Sequence, residues 1–314
     1  MDALRGLREI LLRHTTATTG LQESVIPGLG FFRADEPSTP TPNVYDPMLC
    51  IVVAGRKRGF IGSETLEYTP GDAILISVDL PVVGTILEAS PSAPYLALRL
   101  RWDRLALASV ILDEERSPDG GATTESGLRV QRADPDLLDA ALRLARLLDR
   151  PQDIAELAPL FEREILYRLL TGPSATTLRE LARSESRLSQ ISRAAVWLRE
   201  NYAETYSAET LAKVTSMSIS SLNRHFRAIT AMSPLEYHKR LRLMEARRLL
   251  VAGEADVSEV GQTVGYSSAS QFTREYRRLF GEPPGRDAGR IRRATTAVET
   301  RTESNAPTRR AARS

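Results

Sequence analysis

Along the chain the spacing of apolar positions changes character twice. From about Gly30 to Val130, short apolar and β-branched runs alternate with turn residues, as in Met48–Ala54, Ala73–Val78 and Tyr95–Trp102. Thr69-Pro70-Gly71-Asp72 marks a tight turn among them. Runs of this length and spacing predict an all-β sandwich or barrel. The polar stretch Asp113–Gly127 predicts a surface loop, and Met1–Thr19 a short amphipathic helix, since it carries Asp2 and Glu9 and lacks the apolar run of a signal peptide. Beyond the loop the period becomes helical. Pro135–Asp149 and Asp153–Leu170 predict two helices, with Leu138, Leu142, Ala145 and Leu148 on one stripe. Gly172-Pro173-Ser174 then opens a polar linker ending near Ser189, and Ile191 to about Arg293 reads as helix. The division expected is 1–172, a linker 173–189, a helical domain 190–294, and a disordered basic tail 295–314 almost without apolar residues.

Within the helical domain one pattern occurs twice, fifty residues apart. In Ile219–Thr230 the apolar residues Leu222, Phe226 and Ile229 fall at i, i+4 and i+7, and in Ala269–Phe280 the same places hold Phe272, Tyr276 and Leu279. That stripe buries one side of each helix. At 100° per residue the other side presents Ser220, Asn223, Arg224 and Arg227 in the first, and Ser270, Thr273, Arg274 and Arg277 in the second. Ser218 and Ser268 occupy matching N-cap positions. A shorter helical pattern and a turn precede each: Ala208–Val214 with Thr215-Ser216-Met217, and Ser258–Val264 with Gly265. Helix, turn, then a helix with a polar and cationic outer face is the helix-turn-helix arrangement. The alternative is a plain bundle whose arginines merely face water. One such helix would not decide the matter, whereas two with matching caps, core positions and arginines favour DNA. Between them, Ser233–Ala252 carries Tyr237, Leu241, Met244 and Val251 on one face and Leu235, Leu243, Ala246 and Leu250 on the other. A helix apolar on two sides needs partners on both, so it is expected to pack against both motifs and fix their separation.

Charge supports this reading without deciding it. The formal net charge is +2, but residues 1–189 hold 21 Lys+Arg against 27 Asp+Glu, while 190–294 hold 17 against 11. The sign separation fits a basic half facing a polyanion.

Ile191–Arg293 resembles the DNA-binding domain of the AraC/XylS family of transcription regulators. The residues that carry the resemblance include Leu211-Ala212, Ser221-Leu222-Asn223-Arg224-His225-Phe226, Ser233-Pro234, Tyr237, Val264-Gly265-Tyr266-Ser267, Gln271-Phe272-Thr273-Arg274-Glu275-Tyr276, Phe280-Gly281 and Pro284. Gly261 stands where the family usually has alanine, and Asp287-Ala288 where it usually has an aromatic-arginine pair. Pro47-Met48-Leu49-Cys50, Gly55-Arg56-Lys57-Arg58, Glu67-Tyr68-Thr69-Pro70-Gly71-Asp72 and Ser77–Val83 more weakly resemble the cupin-like N-terminal domain of one branch of that family. The resemblance implies a double-stranded β-helix that senses an effector, followed by helices that dimerise.

The expected fold is therefore α+β: a cupin-like β-barrel with a helical dimerisation element, then an all-α domain with two helix-turn-helix motifs. Base contacts are expected from Ser220, Asn223, Arg224, Ser270, Gln271, Thr273 and Arg274, and phosphate contacts from Arg227, Lys239, Arg240 and Arg277. His225 and His238 are expected at the surface or on phosphate. Effector candidates are Tyr45, Cys50, Tyr68 and Trp102, for a small, mostly apolar or electrophilic molecule. For Cys50 the plain reading is a buried core residue, against a thiol sensor activated by Arg56-Lys57-Arg58. A metal-dependent cupin enzyme and an architectural nucleic-acid protein are the competing readings. With only His14, His225 and His238, and none of them in the barrel stretch, no metal or other cofactor and no enzyme activity are expected. The acidic β domain argues against a purely architectural role. The expected partners are double-stranded DNA, a small-molecule effector and a second copy of the chain, with no membrane. A single cysteine fits a reducing cytoplasm.

Overall fold

The computed structural model describes residues 2–17, 19–101, 107, 110, 111, 126–183, 186–253 and 255–293. Trp102, residues 113–125 of the expected loop and the expected tail lie outside them.

Among the described residues, apolar and alternating runs build ten antiparallel strands in two sheets. The larger sheet contains β1 (Gly20–Glu23), β2 (Leu29–Ala34), β4 (Met48–Ala54), β7 (Asp72–Ile76), β9 (Tyr95–Arg101) and β10 (Leu128–Arg132), in the order β1-β2-β9-β4-β7-β10. The smaller contains β3 (Thr41–Tyr45), β5 (Arg56–Ile61), β6 (Glu64–Tyr68) and β8 (Leu80–Glu88), in the order β3-β8-β5-β6. Register puts Cys50 opposite Arg99 and Phe32 opposite Ala97, so these share a face of the larger sheet. That face looks toward the smaller sheet, because the Lys57 ammonium of β5 lies 4.7 Å from the Phe32 ring centroid. The opposite face carries Phe31, Leu49, Ile51 and Leu98, all buried, and α1 (Asp2–His14) covers it with Leu7, Ile10 and Leu11.

Helices follow the sheets. In α2 (Pro135–Arg146), Asp134 caps the start by accepting from the Asp136 amide at 2.8 Å, and Pro135 fills a first-turn place where no amide is needed. Two short 3-10 turns lead to α3 (Ile154–Leu170). The leucine stripe expected to dimerise is internal instead. Leu142 and Leu148 are buried, and a Cβ at Gly6 of α1 would stand 3.0 Å from Leu142 Cδ2. The stripe therefore closes α2 onto α1, and the exposed apolar residues of this element are Leu160 and Tyr167 of α3. The expected linker is also corrected: Ala175–Ala182 forms α4, buried through Thr177, Leu178 and Leu181. Leu178 and Leu181 lie three apart, enough to define one buried edge on a short helix. The next helix, α5 (Arg187–Glu200), starts earlier than its apolar pattern suggests.

Six further helices follow among the described residues: α6 (Ala208–Thr215), α7 (Ile219–Thr230), α8 (Pro234–Ala252), α9 (Val257–Thr263), α10 (Ala269–Phe280) and α11, residues 284–293. Two compact units result, residues 1–200 with 207–237, and residues 201–206 with 238–314. This departs from the expected division, since the first helix-turn-helix motif belongs to the β-sheet unit. Gly127 donates its amide to the Ile229 carbonyl, and the Tyr237 hydroxyl donates to the Asp79 carbonyl at 2.7 Å. Arg199 reaches Asp46 at 2.8 Å and Asp79 at 3.0 Å. Gly62, at φ +57°, abuts the Ala231 backbone so closely that a Cβ would collide.

Truncating a buried leucine loses its transfer free energy and leaves a cavity. Leu142→Ala should therefore lower unfolding stability by about 2–5 kcal/mol in urea titrations, whereas Leu160→Ala should change it by less than about 0.5 kcal/mol.

Candidate nucleic-acid interface and inner chamber

In the first motif Ser207 caps α6 by accepting from the Thr210 amide at 3.1 Å. The turn is made by Ser216 in the left-handed region (φ 56°), after which the Met217 amide returns to the Ala212 carbonyl at 3.0 Å. Ser218 then caps α7 through the Ser221 amide at 3.2 Å. Leu222, Phe226 and Ile229 are buried, while Ser220, Asn223, Arg224 and Arg227 are exposed. The Asn223 amide donates back to the Ile219 carbonyl at 2.9 Å, which leaves its second N–H and its Oδ1 for other partners.

The second motif repeats the construction. Asp256 caps α9 by accepting from the amides of Ser258 and Glu259. Gly265, at φ +86°, makes the turn, a conformation that suits glycine. Arg242 holds this turn by donating to the carbonyls of Gly265 at 3.0 Å and Tyr202 at 2.7 Å. Ser268 caps α10 through the Gln271 amide. Ser270, Arg274 and Arg277 are exposed, and Gln271 and Thr273 are half-buried. Gly261 lies against the Phe272 ring, where a Cβ would stand 3.1 Å from Cδ1. The close approach of helix and ring is what glycine permits here.

Lys239, expected on phosphate, and two histidines, expected at the surface or on phosphate, have partners within the fold. Lys239 is committed to Glu275 at 2.9 Å. Glu275 also accepts from the Tyr266 hydroxyl at 2.9 Å and the Gln271 amide at 3.3 Å. Burial works to raise the Glu275 pKa, and these donors outweigh it and hold the carboxyl below its usual range. Lys239 thus ties α8 to α10. His225 is buried, its pKa lowered by burial and by the nearby Arg187 and Arg224. His238 is buried against Tyr206, and burial pushes it down to about 4. Both histidines have the uncharged imidazoles of packed residues. They sit on the inward faces of their helices, which the local density of arginine had obscured.

Helix α8 is buried on two sides, as its pattern predicts, through Tyr237, Leu241, Leu243, Met244, Ala246 and Leu250, although Leu235 is 44% exposed. Its later half shares a core with Val260, Val264, Phe272, Tyr276 and Ala288. Asp287, fully buried, anchors residues 284–293. It accepts from Arg247 Nε at 2.7 Å and Nη2 at 2.9 Å, from the Tyr276 hydroxyl at 2.9 Å, and from Arg290 at 2.6 Å. The residue that departs from the family pattern is the one that fastens the last helix.

Between the sheets lies a second group. Tyr45, Cys50 and Tyr68, expected near an effector, face it together with Phe32, Lys57, Tyr95 and Arg99. Phe32, Tyr45, Cys50 and Lys57 keep intermediate exposure although they point inward, as side chains lining a chamber do. Burial pushes the Cys50 thiol up to about 11, against the pull of Lys57 and Arg99. At neutral pH it is a protonated thiol, so the activated-sensor reading loses its chemical basis. Lys57 and Arg99 add two cations to the interior expected to take a mostly apolar or electrophilic molecule. The strand Arg56-Lys57-Arg58-Gly59-Phe60-Ile61 held the signal, because alternation sends the middle cation to the side of Gly59 and Ile61. A separate groove of about 1390 Å³ opens between Pro27, Asp46 and Arg101 of the sheets and Pro159, Glu162 and Arg199 of the helices. Among the described residues no three His, Cys, Asp or Glu side chains form a metal-binding group, and no helix is long and apolar enough to cross a membrane.

Two helix-turn-helix motifs, following a two-sheet β domain, define the class as a double helix-turn-helix protein with an N-terminal β module. The chain belongs to the AraC/XylS family: residues 25–177 match the AraC-type transcriptional regulator N-terminus, and residues 211–289 match a helix-turn-helix domain. It is 31% identical over 164 residues to the HTH-type transcriptional activator RhaS of Salmonella schwarzengrund, covering 50% of this chain and 58% of that one. To RhaS of Escherichia coli O1:K1 / APEC it is 31% identical over 155 residues, covering 49% and 55%. The alignments thus span little more than half the length of these curated relatives. An apo ToxT structure from Vibrio cholerae shares the fold at a TM-score of 0.51 and 8% identity, covering 85% of this chain and 98% of that one.

The Asp287 cluster makes a pH prediction. Burial works to raise its pKa, but Arg247, Tyr276 and Arg290 outweigh it and hold the folded value below the ordinary 3.8. The stabilisation is fully present above the unfolded value and is lost as pH falls through the folded one. Asp287→Ala leaves Arg247 buried without its partner and should cost about 3–5 kcal/mol at neutral pH. It should also remove part of the acid-induced loss of stability below about pH 4, read by denaturant titration across pH.

Proposed function

We propose that this protein is a sequence-specific DNA-binding transcription regulator controlled by a small-molecule effector. The observation that carries the reading is the duplicated, serine-capped helix whose outward face presents an arginine at the same place, Arg224 in α7 and Arg274 in α10. Each such helix enters a major groove, where arginine pairs with guanine O6 and N7. Ser220, Asn223, Ser270, Gln271 and Thr273 are the other base contacts. Arg227, Arg277 and the half-buried Arg240 contact phosphate, which sets register without reading sequence. The two helices enter successive grooves about 34 Å or 10 base pairs apart. Because Asn223 is matched by Thr273 and Ser221 by Gln271, the site is asymmetric and bipartite.

The β domain holds the effector, and the protein works in the cytoplasm as a regulator without enzymatic activity. The chain dimerises through the outer face of α3, where Leu160 is 59% and Tyr167 46% exposed. Leu160→Asp should yield monomers by light scattering at micromolar concentration, while retaining the parent's melting temperature. A monomeric parent removes the dimer.

DNA recognition is tested by footprinting variants on one operator. Losing an arginine–guanine pair costs about 1–3 kcal/mol of discrimination. Arg224→Ala should relax one sub-site and Arg274→Ala the other. Arg277→Ala should weaken all sequences alike and lower the salt dependence, as a lost phosphate contact does. If Arg224→Ala and Arg274→Ala disturb the same base pairs, the two-groove reading fails.

A further inference from the structure

The chamber between the sheets contains chemistry that DNA binding does not use. Register sets Lys57 directly opposite Tyr68 on β6, so their side chains stand on the same inner face at neighbouring positions. The Lys57 ammonium lies 4.7 Å from the ring centroid of Phe32, 5.5 Å from that of Tyr45 and 5.8 Å from that of Tyr95. Two glycines make this possible. A Cβ at Gly84 would come 2.9 Å from Lys57 Cε, and one at Gly59 would strike the Tyr68 hydroxyl. The strands β5 and β8 thus pair Gly59 with Gly84 where any larger residue would fill the space.

Among the described residues facing this chamber, Lys57 has no carboxylate partner, and the Tyr68 hydroxyl and Arg99 Nε are buried without a hydrogen-bond partner. Aromatic faces attract the ammonium, and the Tyr45 hydroxyl engages it. Burial works to lower the Lys57 pKa, the Tyr45 hydroxyl that bonds the amine works against this, and the net direction is upward. Yet no carboxylate among the described residues pairs with it, and an enclosed cation without a counter-charge is unfavourable. Opposite it on β6 the Tyr68 hydroxyl is buried and has no hydrogen-bond partner among the described residues. Arg99, on the opposite sheet, differs in being neutralised by both carboxylate oxygens of Glu23 at 2.6 Å. Among the described residues, one positive charge therefore lacks a carboxylate counter-ion, and a buried donor faces it across the β5–β6 pair.

We propose that the chamber takes a small monocarboxylate, one oxygen accepting from Lys57 and the other from Tyr68, with its apolar body against Phe32, Tyr45 and Tyr95. The assignment rests on the effector reading of the β domain and gives that effector a chemical class. A carboxylate supplies the missing charge and two acceptors at the spacing of neighbouring donors. A neutral alcohol or amide supplies an acceptor but leaves the cation uncompensated. Cys50 contributes a protonated thiol to the wall and so brings no competing negative charge.

The test uses the full chain, thermal melting and titration calorimetry. A panel of aliphatic and aromatic monocarboxylates, phenylacetate among them, is compared acid by acid with the matching primary amides. At least one acid should raise the melting temperature by several degrees and bind ten-fold or more tightly than its amide. Lys57→Met, similar in volume, should weaken that acid at least ten-fold. Tyr68→Phe, which removes only the hydroxyl, should weaken it several-fold and serves even if Lys57→Met folds poorly. An amide that binds as well as its acid, affinity unchanged in both variants, or no acid that binds at all would overturn the assignment. DNA retention by the same preparations separates this from the regulator reading. Acid binding through Lys57 without any DNA binding sustains the anion site and sinks the regulator. A neutral ligand that alters DNA binding equally in parent and Lys57→Met does the reverse.

Discussion

A nineteen-residue helix with apolar side chains around most of its circumference cannot stand in water, and the helical half of this protein is organised by the need to cover α8. At its start Tyr237 meets Phe226 edge to face at 5.2 Å and 88°, which seats the first recognition helix. Further along, Leu243, Ala246 and Leu250 share a core with Phe272 and Tyr276, which seats the second. Polar groups finish what the apolar ones begin. Arg242 gathers the carbonyls around the second turn, Lys239 holds Glu275, and Arg247 holds Asp287. Each of these charges is inward-facing and partnered. The basic residues left exposed on α7 and α10, Arg224, Arg227, Arg274, Arg277 and Arg278, are thereby distinguished from those that build the fold.

Within the unit that holds the sheets, the first helix-turn-helix motif is fastened to the β domain. Asp79, immediately before β8, accepts the Tyr237 hydroxyl on its carbonyl and meets Arg199 with its carboxylate. The same strand carries Val82, Gly84 and Ile86 along the chamber wall. A ligand that shifted β8 would act on the residue that fastens the first helix-turn-helix motif, through a strand of nine residues and without a long chain of side-chain contacts. Hydrogen bonding between Gly127 and Ile229 forms a second attachment of that motif to the β domain.

Periodicity made most of the architecture legible. Strand runs such as Met48–Ala54 and both recognition helices follow directly from spacing of two and 3.6, and the serine caps mark helix starts to the residue. What spacing does not reveal is which partner a stripe meets. Leu142 and Leu148 look like an interface but are buried, and Leu142 packs on α1, where Gly6 leaves room for it. Nor does residue type reveal direction. Lys239, His225 and His238 look like phosphate ligands among arginines, yet each faces inward, where its neighbours are set by tertiary contacts forty residues or less away. Lys57 lay within a run of three cations, and only the register of β5 against β6 and β8 separates it from Arg56 and Arg58. Asp287 departed from the family pattern, and its compensation by Arg247 and Tyr276 could be read only once the helices were in place.

The central claim is that one chain reads two stretches of DNA with two different helices. Selection of the purified protein on random double-stranded DNA, followed by sequencing of the retained fragments, tests it most directly. The account predicts two unlike enriched blocks in fixed order, centred about 10 base pairs apart. A single enriched block, a palindrome of two like halves, or retention without any enriched sequence would contradict it.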